Sequence, residues 1–577
     1  MVKKPFESRI QDLVYNIDVG LGLRLVQIGL GTLVLLFLMM WYTASQFHGL
    51  KDRDAMDAAQ LGHNLALQKR YVTQYVRPAS MRFMREHSPA HDAAVESHPE
   101  LIRPPVYPAM LAAGFTAFKG AFGAERRGGI FTPEQWIVIP MNHLFVILTG
   151  VLVFLTGKRL FSLKVALLGM VIFFLSRTVW NDSIEGAGLP VVYFLCAAAF
   201  YSAMIAAEAI RAELPWTRWI LPFGLSAACC AVAVLTRYAA VLLVPGILLY
   251  LAFAFRRRAW LGLTVFLVIV AVGVSPWLAR NKKVCGAFLG MAPYSALADS
   301  RLSEADDWER GLTFNATAGT VARTMMVKWK ETLASYQREG LHQAGDGLLL
   351  LAFFLASCFF RFVRREVHLL RWALALSMLL ILVTGGIFGD GVFRLLNVFW
   401  PFGILYGLAF FFLLLDRLQF QMRLINYAIT GLVMLLSAMP LVFALMPPHP
   451  GVPYPPYFPP FIQHVTGLLE PTEVLCTDMP WATAWYGNRI SIYLPLSIDE
   501  FYQINDFQLR KPIKGLYFTT LTRDKPYARV LRTGPYKTWF PILEGRIPSD
   551  FPLTQGFPLN NLDQLFLTDR ARWTEKK

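Results

Sequence analysis

Apolar residues in this chain fall in long runs of helix length, separated by short polar segments. A hydrocarbon core of about 30 Å takes roughly 20 helical residues, and only structures that close all their backbone hydrogen bonds persist in it. Eleven runs can be placed, at about 23–41, 136–156, 163–179, 189–208, 219–236, 239–255, 260–278, 347–363, 367–388, 396–415 and 424–446. They are too long for barrel strands, so the pattern predicts an all-α polytopic membrane bundle of about eleven helices. Lys3, Lys4 and Arg9 precede the first run, which is longer than a signal-peptide core and is followed only by Ala44-Ser45-Gln46 as an imitation of a cleavage site. An uncleaved first helix with its N-terminus inside is expected.

Two polar regions interrupt the runs. The first is a large loop, residues 48–133, whose portion from Asp57 to Arg70 is helix-compatible and whose Arg103-Pro104-Pro105-Val106-Tyr107-Pro108 must be extended or turned. The second follows a proline-rich linker at 447–460. Residues 461–577 then alternate β and α: strands at 473–477, 490–494 and 515–519, and helical stretches at 480–486 and 498–504. That alternation predicts a small C-terminal α/β domain, against a transmembrane domain spanning 1–446.

Charge sets the orientation. Lys and Arg outnumber Asp and Glu by 55 to 39, and the excess sits in alternate loops: Lys158, Arg159 and Lys164; Arg211 and Arg218; Arg256 to Arg258; Arg361, Arg364 and Arg365; Arg417 and Arg423. This is the positive-inside distribution, so the basic excess reports topology and not nucleic-acid binding. It puts the loop 48–133 and the C-terminal domain on the exterior side. Of the six cysteines, at 196, 229, 230, 285, 358 and 476, four lie in apolar runs as small packing residues. Cys285 and Cys476, both in exterior segments, could pair.

The charges left at exterior helix ends carry the candidate chemistry. Sugar transfer from a phosphate-linked donor needs a base near the nucleophile, or a metal held by carboxylates, and cations to receive the departing phosphate. Asp54 and Asp57 supply acids just outside the first helix, although Asp54 also suits an N-cap and Asp57 the positive end of a helix dipole. Asp182 and Glu185, in Trp180-Asn181-Asp182-Ser183-Ile184-Glu185-Gly186, form a second acid pair in a short exterior turn. Arg103 suits bidentate phosphate recognition, or snorkelling to lipid headgroups. Arg237, Arg280 and Arg394 are single cations at exterior helix ends. Walker-type glycine loops, Ser-x-x-Lys and His-Glu-x-x-His are absent from the sequence.

In their order along residues 25 to 415 these elements resemble the GT-C superfamily of integral-membrane glycosyltransferases, in the branch of the lipid A aminoarabinose transferases and protein O-mannosyltransferases. Asp54 with His63-Asn64-Leu65-Ala66 is similar to that branch's first-loop pattern, and Arg103-Pro104-Pro105-Val106-Tyr107-Pro108 to its Lys/Arg-Pro-Pro-Leu-Tyr-Pro. Leu235-Thr236-Arg237 with Pro245, Pro276-Trp277-Leu278-Ala279-Arg280-Asn281 with Gly286, and Arg394 with Pro401 resemble three later motifs. The branch often has Asp-Glu where Arg53 here precedes Asp54, and the segment 478–486 resembles tails of uncharacterised bacterial members.

The resemblance implies a polyprenyl-phosphate sugar donor and a lipid, glycan or protein acceptor, met at the exterior face of a bacterial inner membrane. It implies Asp54 as base or metal ligand, with Asp182 or Glu185 as partner, and a divalent metal between Asp54 and Asp182 as an option. Arg103 and Arg237, with Arg280 and Arg394, would hold the phosphate. Two other classes remain open from the residues alone. A flippase of lipid-linked sugars predicts charge deep in the bilayer and broken helices in paired halves; a non-catalytic envelope assembly protein predicts that Asp54 is dispensable.

Overall fold

The structure is a computed structural model that describes residues 21–88, 95–118, 131–255, 259–297, 307–312, 318–343, 347–385, 392–419, 422–449, 451, 457–507, 509–525, 531–534, 536–557 and 564–574. Lys3, Lys4 and Arg9, the arginines 256–258, Asp390 with its flanking glycines, and residues 450 and 452–456 of the proline-rich run lie outside them.

Among the described residues, nine helices are long and apolar enough to span a membrane, and a bent pair, Leu163–Phe174 with Arg177–Ile184, makes a tenth. The chain is a multi-pass membrane protein. Leu189–Arg211 is the buried centre, flanked by Glu134–Leu160, Trp216–Thr236 and Tyr238–Phe255. Leu25–Gln46, Ala259–Cys285 and Arg423–Leu445 lie outside and present Leu33, Val272 and Leu435 outward, as lipid-facing helices do.

Two spans differ from the sequence pattern. The run at 163–179 bends by 49° at Leu175-Ser176 and continues as helix to Ile184, so Asp182 lies on a helix and not in a turn. Tertiary bonds outweigh the turn preference of Asn-Asp-Ser: the Trp180 indole donates to Phe174 O (2.6 Å), and Asp182 accepts from Tyr193 Oη (2.6 Å). The run at 347–363 forms only Leu348–Cys358, because buried Arg371 donates to the carbonyls of Ser357 and Phe360 and so closes the helix C-terminus early.

The first loop folds as a layer across one end of the bundle. Its leading helix, Arg53–Gln68, starts four residues before the expected Asp57, since Asp52 is the N-cap and accepts from Asp54 N (2.8 Å). Asp54 is therefore in the first turn and does not cap the helix. Ala55, Ala58, Ala59 and Gly62 are buried, and their small side chains let a second loop helix, Val106–Ala117, approach closely. A Cβ on Gly62 would stand 2.9 Å from both Leu111 Cβ and Pro108 O. Gly62→Ala is thus expected to destabilise by about 1–3 kcal/mol, because backbone cannot yield as a side chain can; a thermal-unfolding midpoint equal to wild type would contradict that contact.

The C-terminal residues form the five expected elements and more. Strands β2 (Val474–Thr477), β3 (Ile490–Tyr493) and β4 (Ile513–Phe518) are parallel, and β6 (Leu565–Thr568) and β5 (Gln555–Gly556) extend the sheet antiparallel beyond β4. The sheet is not closed within 461–577. Its other edge is β1 (Tyr75–Val76) of the first loop, parallel to β3 with Tyr75 opposite Ser491 and Val76 opposite Ile492. The crossover helix Pro480–Gly487 packs on the Arg53–Gln68 helix, and its Trp485 indole donates to buried Glu134 (2.8 Å), which also accepts from Leu50 N (3.2 Å). Two-residue β1 has no hydrophobic run to announce it, and its place comes from the sheet it joins. Cys285 and Cys476 are separate free thiols, so the pairing open to them from the sequence is not formed.

Candidate active site

Charged side chains converge where the first loop, the helix joint at Arg237 and the short helix Val392–Asn397 meet. Arg394 donates Nη1 to Asp52 Oδ2 (2.8 Å) and pairs through Nη2 with Glu185 Oε2 (3.0 Å). Arg103 donates Nη2 to Asp54 Oδ1 and Nε to Asp57 Oδ2. Arg237, at the C-cap of Trp216–Thr236, lies near enough for its charge to act on both Asp54 and Glu185. Asp182 stands behind Glu185, its Oδ2 accepting from Tyr193 and from Asn397 Nδ2 (3.3 Å).

The two acids of the first helix differ in access. Asp57 is fully buried, with Oδ2 taken by Arg103 and by Arg77 (3.0 Å) and Oδ1 by Gln60 (3.0 Å). Asp54 is the more accessible, its side chain being 37% exposed. Burial, the largest single influence, pushes both carboxyls up, but Arg103, Arg237 and Arg53 together outweigh it at Asp54, and Arg103, Arg77 and Gln60 together at Asp57. Both are held below the usual carboxylate range. Asp54 is thus an ionised acid that a ligand can reach, and Asp57 an ionised acid that it cannot.

The proline motif fixes this geometry. Glu100 accepts from Ile102 N (2.7 Å) and Arg103 N (2.9 Å), and the Tyr71 hydroxyl donates to Pro104 O (3.1 Å). Tyr107 donates to Gly186 O (2.8 Å), which ties the motif to the acid-bearing turn, and Gly188 passes beneath its ring at φ +75°. A Cβ there would meet the ring at 2.7 Å. His63 stands edge-on to Phe115 and Trp485, and burial lowers its pKa to about 4, so it packs as a neutral ring.

Arg280 is drawn elsewhere. It donates to Glu100 O (2.7 Å), Tyr71 O (3.3 Å) and Asn281 Oδ1 (2.9 Å) and lies over the Trp277 ring at 4.9 Å, bracing the loop from behind. Asp52, Arg53, Arg77, Glu100 and Glu309 join the network without having been singled out from the sequence. Arg53 pairs with Glu309 and lies over the Trp481 ring at 4.9 Å. The available signals were Asp52-x-Asp54 and the Arg77-Pro78 step, which repeats the arginine-proline step of Arg103-Pro104.

A divalent metal does not fit this donor set. Asp54 is engaged by Arg103 and Asp182 by Tyr193 and Asn397, and among the described residues no three His, Cys, Asp or Glu side chains are gathered to hold an ion.

Residues 128–279 match the family model of dolichyl-phosphate-mannose-protein mannosyltransferase. No curated protein matches the sequence. Among solved structures, ArnT from Cupriavidus metallidurans bound to undecaprenyl phosphate superposes with a TM-score of 0.56 at 11% identity, over 96% of this chain and 99% of that one. The oligosaccharyltransferase AglB from Archaeoglobus fulgidus, in complex with an inhibitory peptide and a dolichol-phosphate, gives 0.51 at 10% identity, over 85% and 69% of the two chains. The apo form of the Archaeoglobus fulgidus oligosaccharyltransferase gives 0.53 at 12%, with the same coverage. The chain thus has the fold of these membrane proteins over most of its length, and residues 128–279 are similar to the mannosyltransferase family. Both likenesses point to the integral-membrane glycosyltransferases of the GT-C type, in the aminoarabinose transferase and protein O-mannosyltransferase branch, as what the chain resembles.

Proposed function

We propose that this protein transfers a sugar from a polyprenyl-phosphate donor to a hydroxyl of a lipid, glycan or protein acceptor, on the exterior face of a bacterial inner membrane. In that orientation the N-terminus is cytoplasmic and the C-terminal sheet exterior. The observation that carries the reading is the reachable carboxylate of Asp54, beside Arg103 and within the field of Arg237. A base and phosphate-binding cations in one cleft are what the reaction requires. The undecaprenyl phosphate bound to ArnT and the dolichol-phosphate bound to AglB, both on this fold, support the donor class.

In the proposed reaction the acceptor hydroxyl attacks the anomeric carbon and gives its proton to Asp54. The bond from that carbon to the phosphate oxygen breaks, and its electron pair leaves with the polyprenyl phosphate, received by Arg237 and Arg103. Arg394, neutralised by Asp52 and Glu185, fixes the wall of the cleft and is a reserve phosphate ligand. Asp57 serves by holding Arg103. The donor phosphate and Asp54 compete for the outer edge of Arg103. Binding the donor therefore loosens the Arg103–Asp54 pair and raises the proton affinity of Asp54 when a base is needed.

The test is transfer by the purified full chain from defined polyprenyl-phosphate sugars, followed against pH. The free enzyme has Asp54 lowered, chiefly by Arg103 against burial, so kcat/KM is expected to hold its acid side below about pH 4. The acid limb of kcat, which reports the donor complex, lies higher. Transfer with coincident acid limbs would refute the competition for Arg103, and no transfer from any such donor would refute the function.

A further inference from the structure

Arg77 is buried, lies 23 residues along the loop from Asp54, and has no direct place in sugar transfer, yet it reaches Arg103 by two routes. Through Nη2 it pairs with Asp57 Oδ2 (3.0 Å), the atom that also receives Arg103 Nε. Through Nη1 it faces Glu100 Oε2 (3.5 Å), whose other oxygen accepts from the Arg103 backbone N–H. One guanidinium thus supports both the side-chain partner and the backbone clamp of the arginine that touches Asp54.

Arg77 is in turn held from the far side of the domain boundary. It follows β1 directly, so its backbone is placed by pairing with β3 and by the bond from Ser491 N to Gln74 O (2.8 Å). Its guanidinium lies over the Tyr75 ring at 3.8 Å, and Nε faces Glu309 Oε2 at 3.5 Å. Glu309 also takes Arg53 and the Tyr75 hydroxyl (2.7 Å), and the next residue, Arg310, donates to Leu494 O (2.6 Å) and Pro495 O (3.3 Å) of the C-terminal domain. Sheet edge, Glu309 and Tyr75 leave this planar fork one orientation.

We propose that Arg77 is a positioning residue through which the C-terminal sheet sets the geometry of Arg103 and thereby of the donor-phosphate site. The inference rests on the functional reading above for what the site binds. The C-terminal domain is then part of the catalytic unit and not an appended binding module. Lysine keeps the charge at 77 but cannot meet Asp57, Glu100 and Glu309 at once, because it lacks the fork.

The charged and titratable groups facing Asp57 are Arg103, Arg77, Glu100 and Tyr71, and those facing Asp54 are Arg103, Arg237 and Arg53. Without Arg77, Asp57 has Arg103 as its remaining cation and draws it away from Asp54. The Asp54 carboxyl then rises toward its ordinary value.

The experiment compares wild type, Arg77→Gln and Arg77→Lys as purified full-length protein. Donor kcat/KM is expected to fall about tenfold to a hundredfold in Arg77→Gln, mostly through KM, and its acid limb to move up by about one unit. Arg77→Lys keeps more of the stability but little of the donor affinity. Lower thermal stability in both variants with unchanged donor KM and acid limb would overturn the proposal. A readout without substrate separates it from the functional reading. Acid unfolding of Arg77→Gln is expected to begin about one pH unit above that of wild type, since Asp57 loses a cation that holds its folded-state pKa low. If wild type transfers nothing, the donor assignment fails while the acid-unfolding shift still decides whether Arg77 governs Asp57; coincident unfolding curves would overturn that coupling.

Discussion

Replacing Asp54 by Asn is expected to lower kcat by about 10² to 10⁴ while the protein folds and binds donor. Asn keeps the shape and can still meet Arg103, but it cannot accept the acceptor's proton. The side chain is 37% exposed in its cleft and caps nothing, since Asp52 makes the N-cap bond, so loss of stability should be small. Donor KM should hold or fall, because Arg103 is released from a competing carboxylate. Single-turnover transfer at saturating donor is the measurement. An Asp54→Asn variant with wild-type kcat and a raised KM would show that this carboxylate binds and does not take the proton.

Asp57→Ala is the complementary case, with a large effect on folding. Asp57 is fully buried against two arginines, and deleting it leaves Arg77 and Arg103 facing each other with part of their charge uncompensated. Removing one partner of such a buried cluster costs about 3–5 kcal/mol. The pH dependence has a definite sign. Burial raises the Asp57 carboxyl, but Arg103 and Arg77 outweigh it and leave the folded-state pKa depressed. Its stabilisation is therefore fully present above the unfolded-state pKa of about 4 and is lost as pH falls through the folded-state value. Thermal unfolding of the two proteins should differ widely at neutral pH and converge in acid. Equal stability at neutral pH would show that the buried cluster is not what holds the loop.

These two results would divide acids that look alike in sequence. Asp54 and Asp57 are three residues apart on a helix, each followed by alanine, and spacing alone makes both of them helix-start residues. Their difference comes from the layer above. Arg77 and Arg103 close over Asp57 and leave it no exposure, whereas Asp54 meets Arg103 alone by a direct bond and stays partly exposed. The same holds for Arg280, which resembles a phosphate ligand in its motif but spends its donors on the carbonyls of Glu100 and Tyr71. A guanidinium's partner depends on which backbone passes within 3 Å of it, and no local pattern reports that.

The fold class was legible because lipid imposes a length and a polarity on every span, and both are local properties of sequence. The large first loop, the alternating C-terminal elements and the cations and acids at helix ends were legible for the same reason. Long-range pairing decided the rest. The bend after Phe174 carries Asp182 onto a helix, Arg371 shortens the span before Phe359, and β1 joins the first loop to the C-terminal sheet. By itself the sequence determined a polytopic bundle with acids and arginines gathered at one end. Only the tertiary structure decided that Asp54 stays partly exposed, that Asp57 is sealed, and that Arg77, placed by a sheet more than 400 residues away in the chain, stands between them and the C-terminal domain. Apolar surface needs only to be buried somewhere, whereas a buried charge needs a particular partner at hydrogen-bond distance, and that partner is set by the fold.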